Sequence, residues 1–195
     1  MDQILKSIKS YCYVYDQKHD IYWNNASFVL KAVYEDGNMI KYVSEILMND
    51  KKFILKALKI NTYVFFKRLS EEFRNDKEIV FEALKNYPWV LNYLSEEFRN
   101  DKEFVLLALK SDPWVLVSAS QELQNNKDFI LEAIKIQGRT LEYTSPEMKS
   151  NKKLRIAAIK KIYFFDFIKF KKDNHIIQFG RKIILDSFLN TLEFY

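Results

Sequence analysis

The chain has 195 residues, 48% of them hydrophobic and 29% charged, with three Gly, three Pro and a formal net charge of +5. That length and apolar content suffice for one domain with a sizeable core, and so little Gly and Pro excludes a turn-rich β protein or a disordered chain. The charge is uneven: residues 1–151 hold 21 Lys/Arg against 22 Asp/Glu, while residues 152–195 hold 10 against 4, so the basic excess lies in the last quarter.

From the N-terminus, "MDQILKSIKSYCYVYDQ" is too polar for a secretory signal. The only cysteine, Cys12, has no partner for an internal disulfide, which points to a reducing compartment. No apolar run reaches the length of a membrane-spanning helix. A cytoplasmic location is the expectation. Residues 3–18 carry Ile4, Leu5, Ile8, Tyr11, Cys12 and Tyr15 at helical spacing and read as a capping helix or degenerate first repeat, within a segment 1–25.

Between 26 and 160 the chain repeats itself. "KEIVFEALK" (77–85), "KEFVLLALK" (102–110) and "KDFILEAIK" (127–135) superimpose without gaps, with "KKFILKALK" (51–59) before them. "ASFVLKAVY" (26–34) and "KKLRIAAIK" (152–160) are looser copies. Phe28, Phe53, Ile79, Phe104, Phe129 and Leu154 align, as do Ala32, Ala57, Ala83, Ala108, Ala133 and Ala158. Units are assigned as 26–50, 51–76, 77–101, 102–126, 127–151 and 152 onward. One extra residue falls in "KINTYVFFKR".

Each unit reads as two short helices. The first starts after Asp50, Asp76, Asp101, Asn126 or Asn151, residues whose side-chain oxygen accepts a free backbone N–H at a helix start. The second starts near Pro88 or Pro113, because proline fits the first helical position. A one-turn start follows in "SEEFRND", its glutamates facing the positive end of the dipole. Phe73, Phe98, Leu123 and Met148 are expected to enter the core from that turn.

A unit this short cannot bury its apolar face alone, so the predicted fold is all-α: an α-solenoid of about six helix-pair repeats with capped ends, read as one continuous domain. At about 8–10 Å per packed helix, six units span about 50–60 Å. The recurrent alanine lets neighbouring helices approach closely. Residues 161–195 form a basic, aromatic segment, and 180–195 reads as a closing helix through Ile183, Ile184, Phe188, Leu189 and Leu192.

"YLSEEFRNDKEFVLLALKSDPWVL" resembles a helical repeat with a consensus like "YASEELRNDKEFVLEAVKQNG…AL", a domain-of-unknown-function family found in microbial eukaryotes, bacteria and large DNA viruses. The resemblance covers about residues 26–160. It implies a helical-repeat fold and carries no catalytic residue. The glycine usual after the first helix stands here only at Gly37 and Gly138, with Pro or Thr near that point in the other units.

A residue found at the same place in every unit is expected to be structural, and one that breaks the pattern is a candidate for function. Glu71/Glu72 and Glu96/Glu97 recur after a serine and read as helix-start chemistry rather than acid–base catalysts. His19, His175 and Cys12 lack the neighbours a metal or thiol site needs. The glycines are too far apart for a phosphate loop. No catalytic residue, metal, cofactor or small-molecule substrate is assigned.

Tyr63, Trp89 and Trp114 take equivalent places in successive units. They read first as a core ladder and second as an aromatic row open to a partner, protein or stacked RNA base. Lys152, Lys153, Arg155, Lys160, Lys161, Lys169, Lys171 and Lys172 form the basic stretch, with Lys153, Lys160 and Lys161 on one helical face. A solvated face is the first reading, a contact with nucleic acid or an acidic protein the second, and membrane-surface binding the third and weakest. Phe164, Phe165, Phe167 and Phe170 are expected to pack against the closing helix.

The function expected is a non-catalytic protein–protein interaction module, contacting its partner through Tyr63, Trp89, Trp114 and the C-terminal lysines. A nucleic-acid-binding module using the basic end is the alternative. A small viral or phage accessory inhibitor is permitted by length, with no residue pointing to it.

Overall fold

The computed structural model of the chain describes residues 20–171, and these are helical with no strand among them. Six longer helices mark the repeats: α1 (Ala26–Glu35), α2 (Lys51–Arg68), α3 (Lys77–Asn86), α4 (Lys102–Leu109), α5 (Lys127–Ile136) and α6 (Lys152–Lys171). The chain is an all-α repeat protein of the solenoid class. It divides into two compact units, Met1–Leu94 and Ser95–Tyr195. The boundary falls inside the unit 77–101. In the first compact unit α1, α2 and α3 pack in succession, and in the second α4, α5 and α6 do so.

The helix starts follow from one local rule. Asn25, Asp50, Asp76, Asp101 and Asn126 all have extended backbone, and each side chain accepts from an N–H in the first turn that follows. Asn151 does the same for Leu154, at 3.2 Å.

Four of the long helices, α1, α3, α4 and α5, lead into a residue in extended conformation. Asp36, Tyr87, Asp112 and Gln137 have φ of −146, −145, −147 and −133°. Beyond it comes a six-residue 3₁₀ segment: Gly37–Tyr42, Pro88–Tyr93, Pro113–Ser118 or Gly138–Tyr143. The second helix of the expected pair is thus a 3₁₀ helix. One-turn α-helices follow at Glu45–Met48, Glu71–Arg74, Glu96–Arg99, Gln121–Asn125 and Pro146–Ser150. Ser44, Ser70, Ser120 and Ser145 cap four of them, while Ser95 makes no side-chain cap bond.

The unit with the extra residue solves its problem by changing helix type. Asn61 takes the extended conformation of the linker residue (φ −150°) inside α2, and its side chain accepts from Val64 N–H at 3.3 Å. Residues 62–68 then wind as α-helix. Seven α-residues make about 1.9 turns and six 3₁₀ residues about 2.0, so the extra residue is absorbed with almost no change in rotation. Phe65 and Phe66 stay buried where Val90 and Leu91 are buried in the next repeat.

The core is a periodic inner face. At helix positions 3, 4, 7 and 8 the helices α1 to α5 bury an aligned set, as in Phe104, Val105, Ala108 and Leu109 or Phe129, Ile130, Ala133 and Ile134, while α6 buries Leu154 and Ala158 at positions 3 and 7. All six repeat alanines are buried. Phe98, Leu123 and Met148 enter the core from the one-turn helices; Phe73, expected there too, is only half-buried. Repeats are also tied through the backbone: Ser44 N–H donates to Trp23 C=O at 3.3 Å, and Ser120 N–H donates to Arg99 C=O at 2.8 Å in the same register.

Gly37 and Gly138 open their 3₁₀ segments without positive φ. Gly138 serves close approach instead: a Cβ there would stand 2.6 Å from Ile162 Cγ1 and 3.0 Å from Ala158 C=O of α6. Ile162 occupies the register of Asn61, yet α6 runs straight through it to Lys171. The expected end helices, 3–18 and 180–195, lie outside the described residues, as do Cys12, His19, His175 and Lys172.

Candidate functional site

Two of the three repeat aromatics are not in the core. Trp114 is 55% exposed and Tyr63 is 40% exposed, while Trp89 is half-buried. The core-ladder expectation therefore fails for Trp114 and Tyr63. The reason is the winding of the second element: the third and fourth residues after the break, such as Val115 and Leu116, point inward, and the second is turned out.

Each compact unit presents one aromatic contact in the same register. In the second, Trp114 stacks on Tyr143 of the following repeat, centroids 6.3 Å apart and planes at 21°. In the first, Tyr63 meets Tyr93 of the following repeat at 6.2 Å and Tyr87 at 5.8 Å. Lys67 completes that cluster. Its Nζ donates to Tyr63 Oη at 3.2 Å and lies 5.0 Å from the Tyr63 ring centroid and 6.0 Å from that of Tyr93. The hydrogen bond from Lys67, and then that with Tyr93, holds the Tyr63 phenol below its ordinary value. Tyr93 is pushed up by sharing its bond with Tyr63, and Lys67 is raised by Tyr63.

The lysines that opened the basic stretch lie on α6. Lys152, Lys153 and Lys160 are exposed and Lys161 is half-buried. Residues 152–162 carry five basic residues and no acidic one. The side chains of Lys169 and Lys171, and Phe164, Phe165, Phe167 and Phe170 beside them, lie outside the described side chains. Glu71, Glu72, Glu96 and Glu97 are exposed in first turns, as helix-start residues should be. Among the described residues no group of three His, Cys, Asp or Glu side chains is placed to hold a metal ion, and no helix is long and apolar enough to cross a membrane.

A second surface is built from residues that recur from repeat to repeat. The outward face of the long helices presents positions 2, 5 and 9, which fall within a narrow arc of the helix. Position 5 is apolar in every repeat: Leu30, Leu55, Phe81, Leu106, Leu131 and Ile156, half-buried except for Phe81, which is exposed. Position 9 is Tyr34 and then Lys59, Lys85, Lys110, Lys135 and Lys160, all exposed. Position 2 is acidic at Glu78, Glu103 and Asp128.

The repeat register is also the register of a known family. The model of the family described as "Domain of unknown function (DUF4116)" matches five overlapping windows, at residues 25–74, 50–99, 76–124, 101–149 and 126–179. The chain belongs to the DUF4116 family. Each window opens on an N-cap residue, Asn25, Asp50, Asp76, Asp101 or Asn126, and spans two successive repeats. No curated protein and no solved structure matches the chain.

Proposed function

We propose that the chain is a non-catalytic protein–protein interaction module. The observation that carries this reading is the outward placement of aromatic side chains in the same repeat register of each compact unit, Trp114 against Tyr143 and Tyr63 against Tyr93. Large exposed rings with few rotatable bonds are favoured anchors in protein interfaces, and a prepacked helical array loses little conformational freedom on binding. The test places a photo-crosslinking residue at position 63 or 114 of the full chain, with position 149 as control, in lysate of the cells that express it. The reading expects discrete protein adducts at 63 or 114 and few at 149. Equal labelling at all three positions would remove it.

A second reading, nucleic-acid binding, is favoured by the acid-free basic stretch 152–162 of α6. It requires affinity for an oligonucleotide that falls steeply as salt rises, because phosphate contacts release counterions. Affinity flat in salt, or none at low salt, removes it.

A further inference from the structure

We infer that the outward face of α4, α5 and α6 is a docking surface for an acidic amphipathic helix of a partner protein. This inference rests on the interaction-module reading and names the chemistry of the partner.

Successive long helices pack side by side in the second compact unit, so the repeat positions line up as rows. Leu106, Leu131 and Ile156 form a half-buried apolar row. Lys110, Lys135 and Lys160 form an exposed row one helical turn further toward the helix C-termini. A lysine in the last turn suits the helix dipole, which accounts for one lysine on one helix. It does not account for the apolar row beside the lysines.

The charges of this row are poorly answered within the fold. In the first compact unit Lys59 reaches Glu82, at position 6 of the next helix, at 3.8 Å. In the second compact unit Lys110 has Glu132 at that position of the next helix, while Lys135 has Ala157 there. The row therefore favours an acidic partner.

Two arguments select a helix. First, packed helices lie about 8–10 Å apart, and seven residues of an α-helix advance about 10.5 Å. A partner helix crossing the three repeats thus meets one apolar position per heptad. Second, an extended segment would bring bare N–H and C=O groups against this surface. Positions 5 and 6 offer the apolar Leu106, Leu107, Leu131, Ile156 and Ala157, which receive no backbone group, and only Glu132, which can accept an N–H. A helix satisfies its own backbone and needs only side-chain contact. Nucleic acid fits less well, since the acidic Glu103 and Asp128 flank the other side of the apolar row.

The test selects binders to the full chain from a displayed library of helical peptides, with a single-stranded oligonucleotide as a parallel probe. Enriched peptides are expected to carry large apolar residues at seven-residue recurrence and Asp or Glu along one flank. Lys135→Glu and Leu131→Gln, each checked for unchanged helicity, should weaken them at least tenfold, and Lys149→Glu, the same charge change off this face, should not. Peptides without that pattern, equal affinity for Lys135→Glu and Lys149→Glu, or binding of the oligonucleotide alone would overturn the inference. Peptides indifferent to Lys135→Glu but lost on Trp114→Ala would overturn it while leaving the interaction module standing. No enriched peptide, together with no adduct at 63 or 114, removes both.

Discussion

Gly138 and Ile162 meet so closely that a methyl group cannot be added to the glycine: its Cβ would lie 2.6 Å from Ile162 Cγ1. Ile162 is at the register where the other repeats break their long helix, and here the unbroken α6 carries it against the start of the preceding 3₁₀ segment. Gly138→Ala is expected to destabilise the chain by about 1–3 kcal/mol, the usual cost of overpacking, read as a lowered urea midpoint. Combining it with Ile162→Ala should cost less than the two single changes added together. Gly37→Ala is the contrast. Its Cβ meets Asn61 Nδ2 at 3.1 Å, the end of a side chain, and stability should move by less than about 1 kcal/mol. Equal losses at both glycines would contradict this reading.

Asp76 does two jobs, capping α3 and binding Lys51 one repeat earlier. It accepts from Glu78 N–H at 3.0 Å and Ile79 N–H at 3.1 Å, and its other oxygen accepts from Lys51 Nζ at 2.7 Å. Burial pushes its carboxyl up, but the Lys51 ammonium and the two N–H groups outweigh that and hold it below its ordinary 3.8. A carboxyl lowered in the folded state adds stability at higher pH. That stability begins to fade near the unfolded value of 3.8 and is gone below the folded one. Asp76→Ala should cost about 0.5–2 kcal/mol at neutral pH, as lost caps do, and Asp76→Asn less because it keeps the cap. The gap between wild type and Asp76→Asn, followed by urea midpoint, should close as pH falls below about 3.8. A gap that persists in acid would rule out the ion pair as its source.

The tyrosine cluster gives a spectroscopic prediction. Lys67 stabilises the Tyr63 phenolate, and Tyr93 is left to ionise later. Ultraviolet titration of the folded chain should show the Tyr63 phenol ionising below the ordinary value of 10.0. Lys67→Ala should move that phenol upward, and Tyr63→Phe should remove it. An unchanged first step in Lys67→Ala would show that the lysine is not its cause.

The caps and the core columns were legible in the sequence because each depends on one residue at a fixed interval. Asp76 or Asn126 needs only its own side chain and the next turn to start a helix, and Ala83 or Ala108 needs only its neighbour's approach. The type of the second element was hidden. Proline at 88 or 113 suits the first turn of α and 3₁₀ helices alike, and the choice follows from how Val90 and Leu91, or Val115 and Leu116, turn inward. That same winding decides that Trp114 faces out, which "PWVL" alone does not tell. The rows at Leu106–Leu131–Ile156 and Lys110–Lys135–Lys160 are written in the sequence, but recurrence alone does not separate a core column from a surface row. In a repeat protein recurrence also builds surfaces.

Trp114 and Leu109 should separate binding from stability. Leu109 is fully buried, and Leu109→Ala should cost about 2–5 kcal/mol as a cavity forms. Trp114 is more than half exposed, and Trp114→Ala should cost under about 1.5 kcal/mol, mostly the stacking on Tyr143. In the crosslinking assay the order reverses if the aromatic edge contacts the partner. Trp114→Ala then loses binding while remaining folded by circular dichroism. A Trp114→Ala variant as unstable as Leu109→Ala would show that the ring is a core element after all.

Thr140 is a place where the repeat departs from itself at a cost. Val90 and Val115 hold the same fully buried position in the two preceding repeats. Thr140 is fully buried too, and among the described residues its hydroxyl has no hydrogen-bond partner. Valine and threonine differ there by a methyl in place of a hydroxyl, so the exchange keeps the shape and removes a polar group that water has surrendered. Leaving a buried hydroxyl unpaired costs about 1–3 kcal/mol. Thr140→Val is therefore expected to stabilise the chain by about 1 kcal/mol, seen as a raised urea midpoint with unchanged slope. Val115→Thr should lower the midpoint by a comparable or larger amount, since it introduces the same unpaired group one repeat earlier. If Thr140→Val instead destabilises, the hydroxyl has a partner, and a buried water bridging it is the first to look for.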